Sequence, residues 1–468
     1  MLFIAAFSAS LSAGFGADSA VARKTPDADR VTSPTALAAL VARMRVPSFS
    51  RQTKLACGAC HYGFPQLTPF GRTFKLNGYT LTGLTPIVSA TDSAARPSLS
   101  LSPIAPLSVM AIASATSLAT AIPGTRGNTT QFPQQLSLFA ATAISDKMGI
   151  FSQFTYSDQS AKISIDNVDL RYATHKTLGS HDLLLGLTLH NNPTVQDVWN
   201  TTAAWGYPFV SSGVAPTPAA TTLIDGRLAQ SVMGLGAYSL IGNALYAEVS
   251  GYVSAPQGAT LPLDSAARNT VHAVSPYWRL GLQHEFASDY VMIGTFGLYS
   301  ELYPTGVIGA TNRFTDIGVD AQVEHKLPKG MLIARASYTH ENQDLGAAFA
   351  ALPAASQNVS NTLSSYKLNL SYIPTPAHTF TVGMFGSSGT SDNVLYAPSP
   401  VNGSRSGSPT SQGERVEYAV SPWLNVRLGA QYVIYQKFNG ASQQYDVAVK
   451  GRSAKDNNAL YVYLWLAY

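Results

Sequence analysis

The stretch Leu424–Gln436, LNVRLGAQYVIYQ, alternates residue by residue. Leu424, Val426, Leu428, Ala430, Tyr432 and Ile434 fall on one side of an extended chain, and Asn425, Arg427, Gly429, Gln431 and Tyr435 on the other. Successive side chains of a strand point to opposite faces, so this is a strand with one apolar and one polar face. The same period places Leu245, Ala247, Val249 and Val253 opposite Tyr246, Glu248, Ser250 and Tyr252. It also places Ile317, Val319, Ala321 and Val323 opposite Gly318, Asp320, Gln322 and Glu324. Working outward gives about sixteen strands: 107–118, 134–144, 148–157, 163–174, 181–190, 228–240, 243–254, 274–286, 290–303, 314–327, 331–342, 363–374, 378–388, 413–420, 424–437 and 456–468.

A soluble sandwich shares this period, so the connections decide. Short turns at Ile241-Gly242, Ala287–Asp289, Pro328–Gly330, Pro374–Ala377 and Ser421–Trp423 alternate with long loops at 191–227, 255–273, 344–362, 389–412 and 438–455. An even strand number with short turns at one end and long loops at the other is the pattern of a bacterial outer-membrane barrel. The expected fold is therefore mainly β, a transmembrane antiparallel barrel of about sixteen strands over 107–468 with both termini on the periplasmic side. The last strand agrees. Leu460, Val462, Leu464, Leu466 and the terminal Tyr468 share an apolar face, while Tyr461, Tyr463 and Trp465 turn inward, which suits a lumen that contains something apolar.

Composition narrows the class. Charged residues make up 12% of the 468 residues, about half the usual share of roughly 25%. Mean hydropathy is only +0.06, and 23 tyrosines accompany abundant Ser, Thr, Asn and Gln. A net charge of +4 without a basic run gives no argument for nucleic acid. Past the N-terminus no run of about 18 apolar residues suggests a transmembrane helix. Residues 1–22 read as a secretory signal without a basic n-region, with Ala20-Val21-Ala22 as the cleavage site and an alternative near Ala17. Residues 23–44 read as a linker with a short helix from Ala36 to Met44. Residues 81–106, with Pro86, Pro97, Pro103 and Pro106, read as a second linker.

Between the linkers lies Cys57-Gly58-Ala59-Cys60-His61, which holds both cysteines of the chain. C-x-x-C-H is the attachment pattern of c-type haem: two thiols add to two vinyl groups and the adjacent histidine binds the iron. A zinc site needs two further ligands that no nearby Cys or His supplies, and a thioredoxin-like pair needs a βαβ context that is missing. The expected cofactor is one covalent haem c, with Cys57, Cys60 and His61 binding it and His61 as the proximal iron ligand and redox-essential residue. The segment 45–80 is too small to enclose a porphyrin by itself, so another part of the chain has to shield it.

The chain resembles the fused monohaem cytochrome c–porin family of outer-membrane iron(II) oxidases. The resemblance rests on Pro47–Thr53, Cys57–His61, Leu67–Arg72 and Phe74–Tyr79. It continues in Asn191–Asp197, Trp199–Thr201, Ala204–Gly206, Pro422–Asn425 and Lys437–Gly440. It implies a one-haem plug in or under the barrel. It also implies that electrons pass from extracellular Fe(II) to periplasmic carriers, cytochromes or a cupredoxin.

Other expectations follow from single residues. Arg45, Arg51, Lys54, Arg72 and Lys75 are placed to pair with haem propionates or with inward carboxylates such as Asp169, Glu248, Asp320 and Glu324, or else are solvated charges. Met44 is the candidate distal iron ligand by sequence proximity, with a barrel side chain or water as alternatives. Among the other histidines His190, at a strand end beside the Asn191–Asp197 loop, is singled out, and it otherwise reads as a rim histidine in water. The loop from Asn191 through Trp199 and Trp205 is expected to fold inward, and Asp197 is a candidate for transient Fe(II) contact. Three functions compete: an Fe(II)-oxidising outer-membrane cytochrome, a haem conduit for another extracellular donor or acceptor, and a passive porin with a haem plug.

Overall fold

The protein was examined as a computed structural model, which describes residues 47–81, 88–91, 97–100, 106–254, 269–304, 308–423, 425–448 and 451–468. The expected signal, the helix ending at Met44, and Met44 and Arg45 themselves lie outside the described residues.

Sixteen long strands close into one antiparallel barrel. They are β1 (Leu107–Leu118), β2 (Asn128–Ala143), β3 (Met148–Ser157), β4 (Lys162–Leu178), β5 (His181–His190), β6 (Met233–Ile241), β7 (Leu245–Val253) and β8 (Ser275–Glu285). The remainder are β9 (Asp289–Tyr303), β10 (Asn312–Lys326), β11 (Met331–Asp344), β12 (Ser360–Thr375), β13 (His378–Gly389), β14 (Ser411–Trp423), β15 (Val426–Lys437) and β16 (Ala459–Ala467). Each pairs with its neighbour in sequence, and β16 closes the ring on β1 with Val462 opposite Ala115. A two-residue strand, Thr270–Val271, adds a short pairing to β9. Closure removes every unpaired edge, which is why a sheet survives in hydrocarbon.

The faces follow the alternation. Leu187, Leu235, Val249, Leu282, Ile293 and Val319 are exposed on the outside, where water would penalise them and lipid does not. The opposite set, Asp169, Arg171, Glu248, Arg279, Asp320 and Glu324, is buried in the lumen. Tyr461 and Tyr463 also face inward and stack at 5.5 Å between centroids.

One end of the barrel has only tight turns: 144–147, 179–180, 242–244, 286–288, 327–330 and 376–377. The other carries the long segments 191–232, 345–359, 390–410 and 438–458. The short-turn end is periplasmic by this asymmetry, and the start of β1 and the end of β16 both lie there.

The two boundaries that differ most from expectation are the starts of β2 and β6. Strand β2 begins at Asn128 instead of 134, because it continues past the apolar band as Asn128-Thr129-Thr130-Gln131, where outward polar residues erase the alternation. Residues 228–232 are not strand; Leu228 and Val232 are buried in a cluster with Tyr252, Phe296 and Leu302, so their hydrophobicity serves the lumen and not the lipid face. Within the stretch expected as a bare linker, Val88–Thr91 pairs antiparallel with Pro97–Ser100.

Candidate functional site

The segment around the two cysteines is a plug of three short helices, α1 (Ser48–Thr53), α2 (Cys57–Cys60) and α3 (Pro69–Leu76). Helix α2 is a single turn, closed by the His61 amide donating to the Cys57 carbonyl. A two-stranded ribbon follows, with His61 opposite Leu67 and Gly63 opposite Gln66. Helix α3 starts where its sequence says it should. Pro69 stands at the first turn and the Thr68 hydroxyl caps it, accepting from the Gly71 amide at 3.1 Å. The same hydroxyl donates to the Ala59 carbonyl at 2.6 Å, so the cap of α3 also fixes the cysteine turn. Helix α3 then passes so close to that turn that a Cβ on Gly71 would stand 2.2 Å from the Cys60 carbonyl oxygen.

The plug sits inside the barrel. Arg72 pairs with Glu324 of β10, whose other oxygen accepts from the Tyr62 hydroxyl at 2.8 Å. The Lys75 ammonium donates to the carbonyls of Val195 and Asp197 at 2.6 and 2.8 Å and lies over the Trp205 ring. The Tyr79 hydroxyl donates to Asp169, which is also paired with Arg171 at 2.8 Å. From the barrel, the Tyr238 hydroxyl donates to the Leu76 carbonyl and Arg335 reaches Gln66. At Gly149 of β3 an added Cβ would stand 2.4 Å from the Gly78 carbonyl oxygen, so plug and wall are in backbone contact there.

Of the plug cations, Arg72 pairs with Glu324, whereas the Lys75 amine goes to loop carbonyls and only its backbone carbonyl accepts from Arg171, the partner of Asp169. Sequence reading missed the barrel's own cations Arg171, Arg279 and Arg335. Each is a charge flanked on both sides by residues of the outward set, and that flanking was the available signal.

Segment 191–232 folds into the lumen, as expected. Trp199 is buried against Tyr246 and its indole N–H donates to the Tyr290 hydroxyl at 2.6 Å. Asn200 accepts from the Leu67 amide at 3.0 Å, which ties this segment to the plug. Asp197 is the organising residue. Its carboxylate accepts from the amides of Trp199, Thr201 and Thr202 and from the Thr202 hydroxyl, and lies 3.5 Å from Arg279. Burial works to raise its carboxyl, but the Arg279 charge and these hydrogen bonds outweigh it and hold the group below the usual range. The bonds that engage both oxygens are those of a carboxylate that shapes the loop. For His190 the expectation is corrected. It is buried, not a rim residue, and bonds the Tyr252 hydroxyl at 2.7 Å.

Between plug and wall lies a cavity of about 590 Å³, lined by Cys57, Cys60 and His61 together with aromatic side chains of both parts. Phe49, Phe74 and Tyr79 come from the plug, and Phe139, Phe151 and Trp465 from the barrel. The volume lies within the range of cofactor pockets, roughly 300–1,000 Å³. The cavity is also bordered by Asp166, Asn192, Asp225 and Gln230, from β4 and the inward segment.

The three residues of the motif fit a c-type haem. Both cysteines are free and open on the cavity. Burial pushes the Cys60 thiol up to about 11, helped by the neighbouring Cys57. His61 keeps part of its surface toward the cavity but sits wholly inside the barrel. Desolvation lowers its imidazole to about 4, against the pull of the Pro65 and Gln66 carbonyls, and leaves it neutral as an iron ligand must be. Its Nδ1 is buried without a hydrogen bond of good geometry. Among the described residues no group of three or more His, Cys, Asp or Glu side chains is arranged to hold a free metal ion.

No family model matches the chain, and no curated protein does. Solved structures do. OmpF of Salmonella typhi in complex with daunomycin is 13% identical at a TM-score of 0.44, covering 77% of this chain and 97% of that one. An anion-selective porin from Comamonas acidovorans is 11% identical at 0.44, covering 77% and 98%. OmpT, an outer membrane protein of Vibrio cholerae, is 10% identical at 0.42, again over 77% and 98%. This chain's own closed sixteen-strand ring, apolar outside and polar within, is that of a membrane-spanning β-barrel.

Proposed function

We propose that this chain is a fused monohaem cytochrome–porin that oxidises extracellular Fe(II) through one covalent haem c and passes the electron to a periplasmic cytochrome or cupredoxin. The observation that carries the reading is the position of Cys57–His61 on the wall of an aromatic cavity inside a closed barrel. When bound, a c-type haem supplies an iron centre that takes and gives one electron at a time. The chain's residues have distinct parts in this. Cys57 and Cys60 would tether the porphyrin by adding their S–H groups across its two vinyl groups, and neutral His61 would hold the iron. Phe49, Phe74, Phe139 and Phe151 keep water from the cavity.

Fe(II) is the substrate, loses one electron and leaves as Fe(III). Asp166, Asn192, Asp225 and Gln230 give the cavity oxygen-bearing borders from the loop-bearing side, which favour a hydrated cation. Asp225 is held there by Lys367 at 2.7 Å. Soluble Fe(III) and its oxides stay outside, because the plug and segment 191–232 fill the lumen. The same filling argues against a passive pore.

The test uses protein produced in cells that attach c-type haem. Haem should survive denaturing electrophoresis on the chain, and the purified oxidised protein should be reduced on rapid mixing with Fe(II). A chain that carries covalent haem but is reduced only by other donors points to the conduit reading, and a chain without haem leaves the porin.

A further inference from the structure

We infer that Met110 of the barrel wall is the distal ligand of the haem iron, an inference that rests on the haem reading above. Met110 lies on β1 with its side chain in the lumen, between the outward Val109 and Ala111. It lines the same cavity as Cys57, Cys60 and His61. Among the described residues bordering that cavity, four other donors are engaged. The Lys75 amine is bonded to two carbonyls, the Tyr79 hydroxyl to Asp169, Asp197 to three amides and a hydroxyl, and Asp225 to Lys367. His190, the histidine singled out by sequence, does not border the cavity and is bonded to Tyr252. The Met110 thioether carries no such claim. It is held in an apolar wall with Ile112, Tyr461, Tyr463 and Trp465, which leaves it dry and ordered.

A thioether is a soft ligand that favours the reduced iron and raises the potential of a haem. That suits a centre that must accept an electron from Fe(II). His61 belongs to the plug and Met110 to the barrel wall. Were both to hold the iron, haem loading would also fasten the plug in the lumen.

The experiment compares wild-type protein with Met110→Leu, Met110→His, Met44→Leu and Met292→Leu, each purified with its covalent haem. Met292 is buried beside Trp199 and away from the cavity, so it controls for loss of a buried methionine. Expected results are a six-coordinate low-spin spectrum with the methionine–iron charge-transfer band in wild type and in Met292→Leu. Met110→Leu should lose that band, shift to high spin, bind added cyanide or imidazole faster and have a lower midpoint potential. Met110→His should return to low spin with the bis-histidine spectrum and a potential lower still. Unchanged spectra in Met110→Leu, a high-spin wild type, or loss of the band in Met44→Leu but not in Met110→Leu would each overturn the assignment. Those results leave the haem reading standing, since all are recorded on haem-loaded chain. Wild-type protein with no covalent haem removes both.

Discussion

The Arg72 guanidinium of the plug lies against the Glu324 carboxylate of β10, with side-chain exposures of 5% and 3%, and stacks over the Tyr290 ring at 4.0 Å. Neither charge has water to return to. Removing one partner of a buried pair costs about 3–5 kcal/mol, because the other is left uncompensated, whereas replacing both is much milder. Glu324→Ala should therefore weaken plug docking more than the double change Arg72→Met with Glu324→Leu. Protease cleavage within residues 54–56, which are exposed at the plug surface, reports docking in the detergent-folded protein. The single variant should be cut faster and the double variant should recover most of the protection. Equal loss in both would deny the pair its role in docking.

Two glycines hold backbone to backbone. A side chain at Gly71 meets the Cys60 carbonyl, and one at Gly149 meets the Gly78 carbonyl. Neither obstacle is a flexible side-chain end, so the cost is that of overpacking, about 1–3 kcal/mol. The two variants should fail differently. Gly71→Ala separates α3 from the cysteine turn and lowers the yield of covalent haem per folded barrel. Gly149→Ala pushes the whole plug from β3 and leaves haem attachment unchanged while raising protease sensitivity. Heat-modifiable electrophoretic mobility should report an intact barrel in both.

At the loop-bearing end, Asp392 joins segments 345–359 and 390–410. It accepts from the amides of Gln357, Asn358, Val394 and Leu395 and from Ser356 and Asn361 side chains. These bonds outweigh its burial and hold the carboxyl well below the ordinary value of 3.8. For a carboxylate with a depressed folded value, the stabilisation is complete above the ordinary value and is lost as pH falls through the folded one. The clasp should thus stay closed in acid well below pH 3.8. Asp392→Asn should cost about 1.5–3 kcal/mol for the charged hydrogen bonds and open the clasp at neutral pH. Acid-active protease cleavage of the two segments, followed across pH, separates the outcomes. Wild-type cleavage that begins at the ordinary carboxylate range would contradict this.

The barrel was legible because its physics is one-dimensional. Alternation along one strand, as in Leu424–Gln436, states which side meets lipid, and every expected strand has its counterpart in the closed ring. The turn Cys57–His61 was legible for a similar reason, since its five residues fold locally as one helical turn and the start of a ribbon. The site's walls were not. Arg72 and Glu324 stand 252 positions apart, and only closure of the ring brings β10 over the plug. Met110 carried no mark on β1, where its neighbours differ from those of any other strand only in what lies across the lumen. Leu228 and Val232 misled because an inward loop and a lipid-facing strand are equally apolar.

The central claim is an electron path through a sealed barrel. It is tested most directly in lipid vesicles that carry the haem-loaded protein in one orientation, with its loops outward, and enclose an oxidised soluble c-type cytochrome. Added outside, Fe(II) should reduce the enclosed cytochrome while iron itself stays out, and vesicles bearing His61→Ala should show no reduction. Reduction that persists in His61→Ala, or that proceeds only as iron enters the vesicles, would contradict the account and make the barrel a pore.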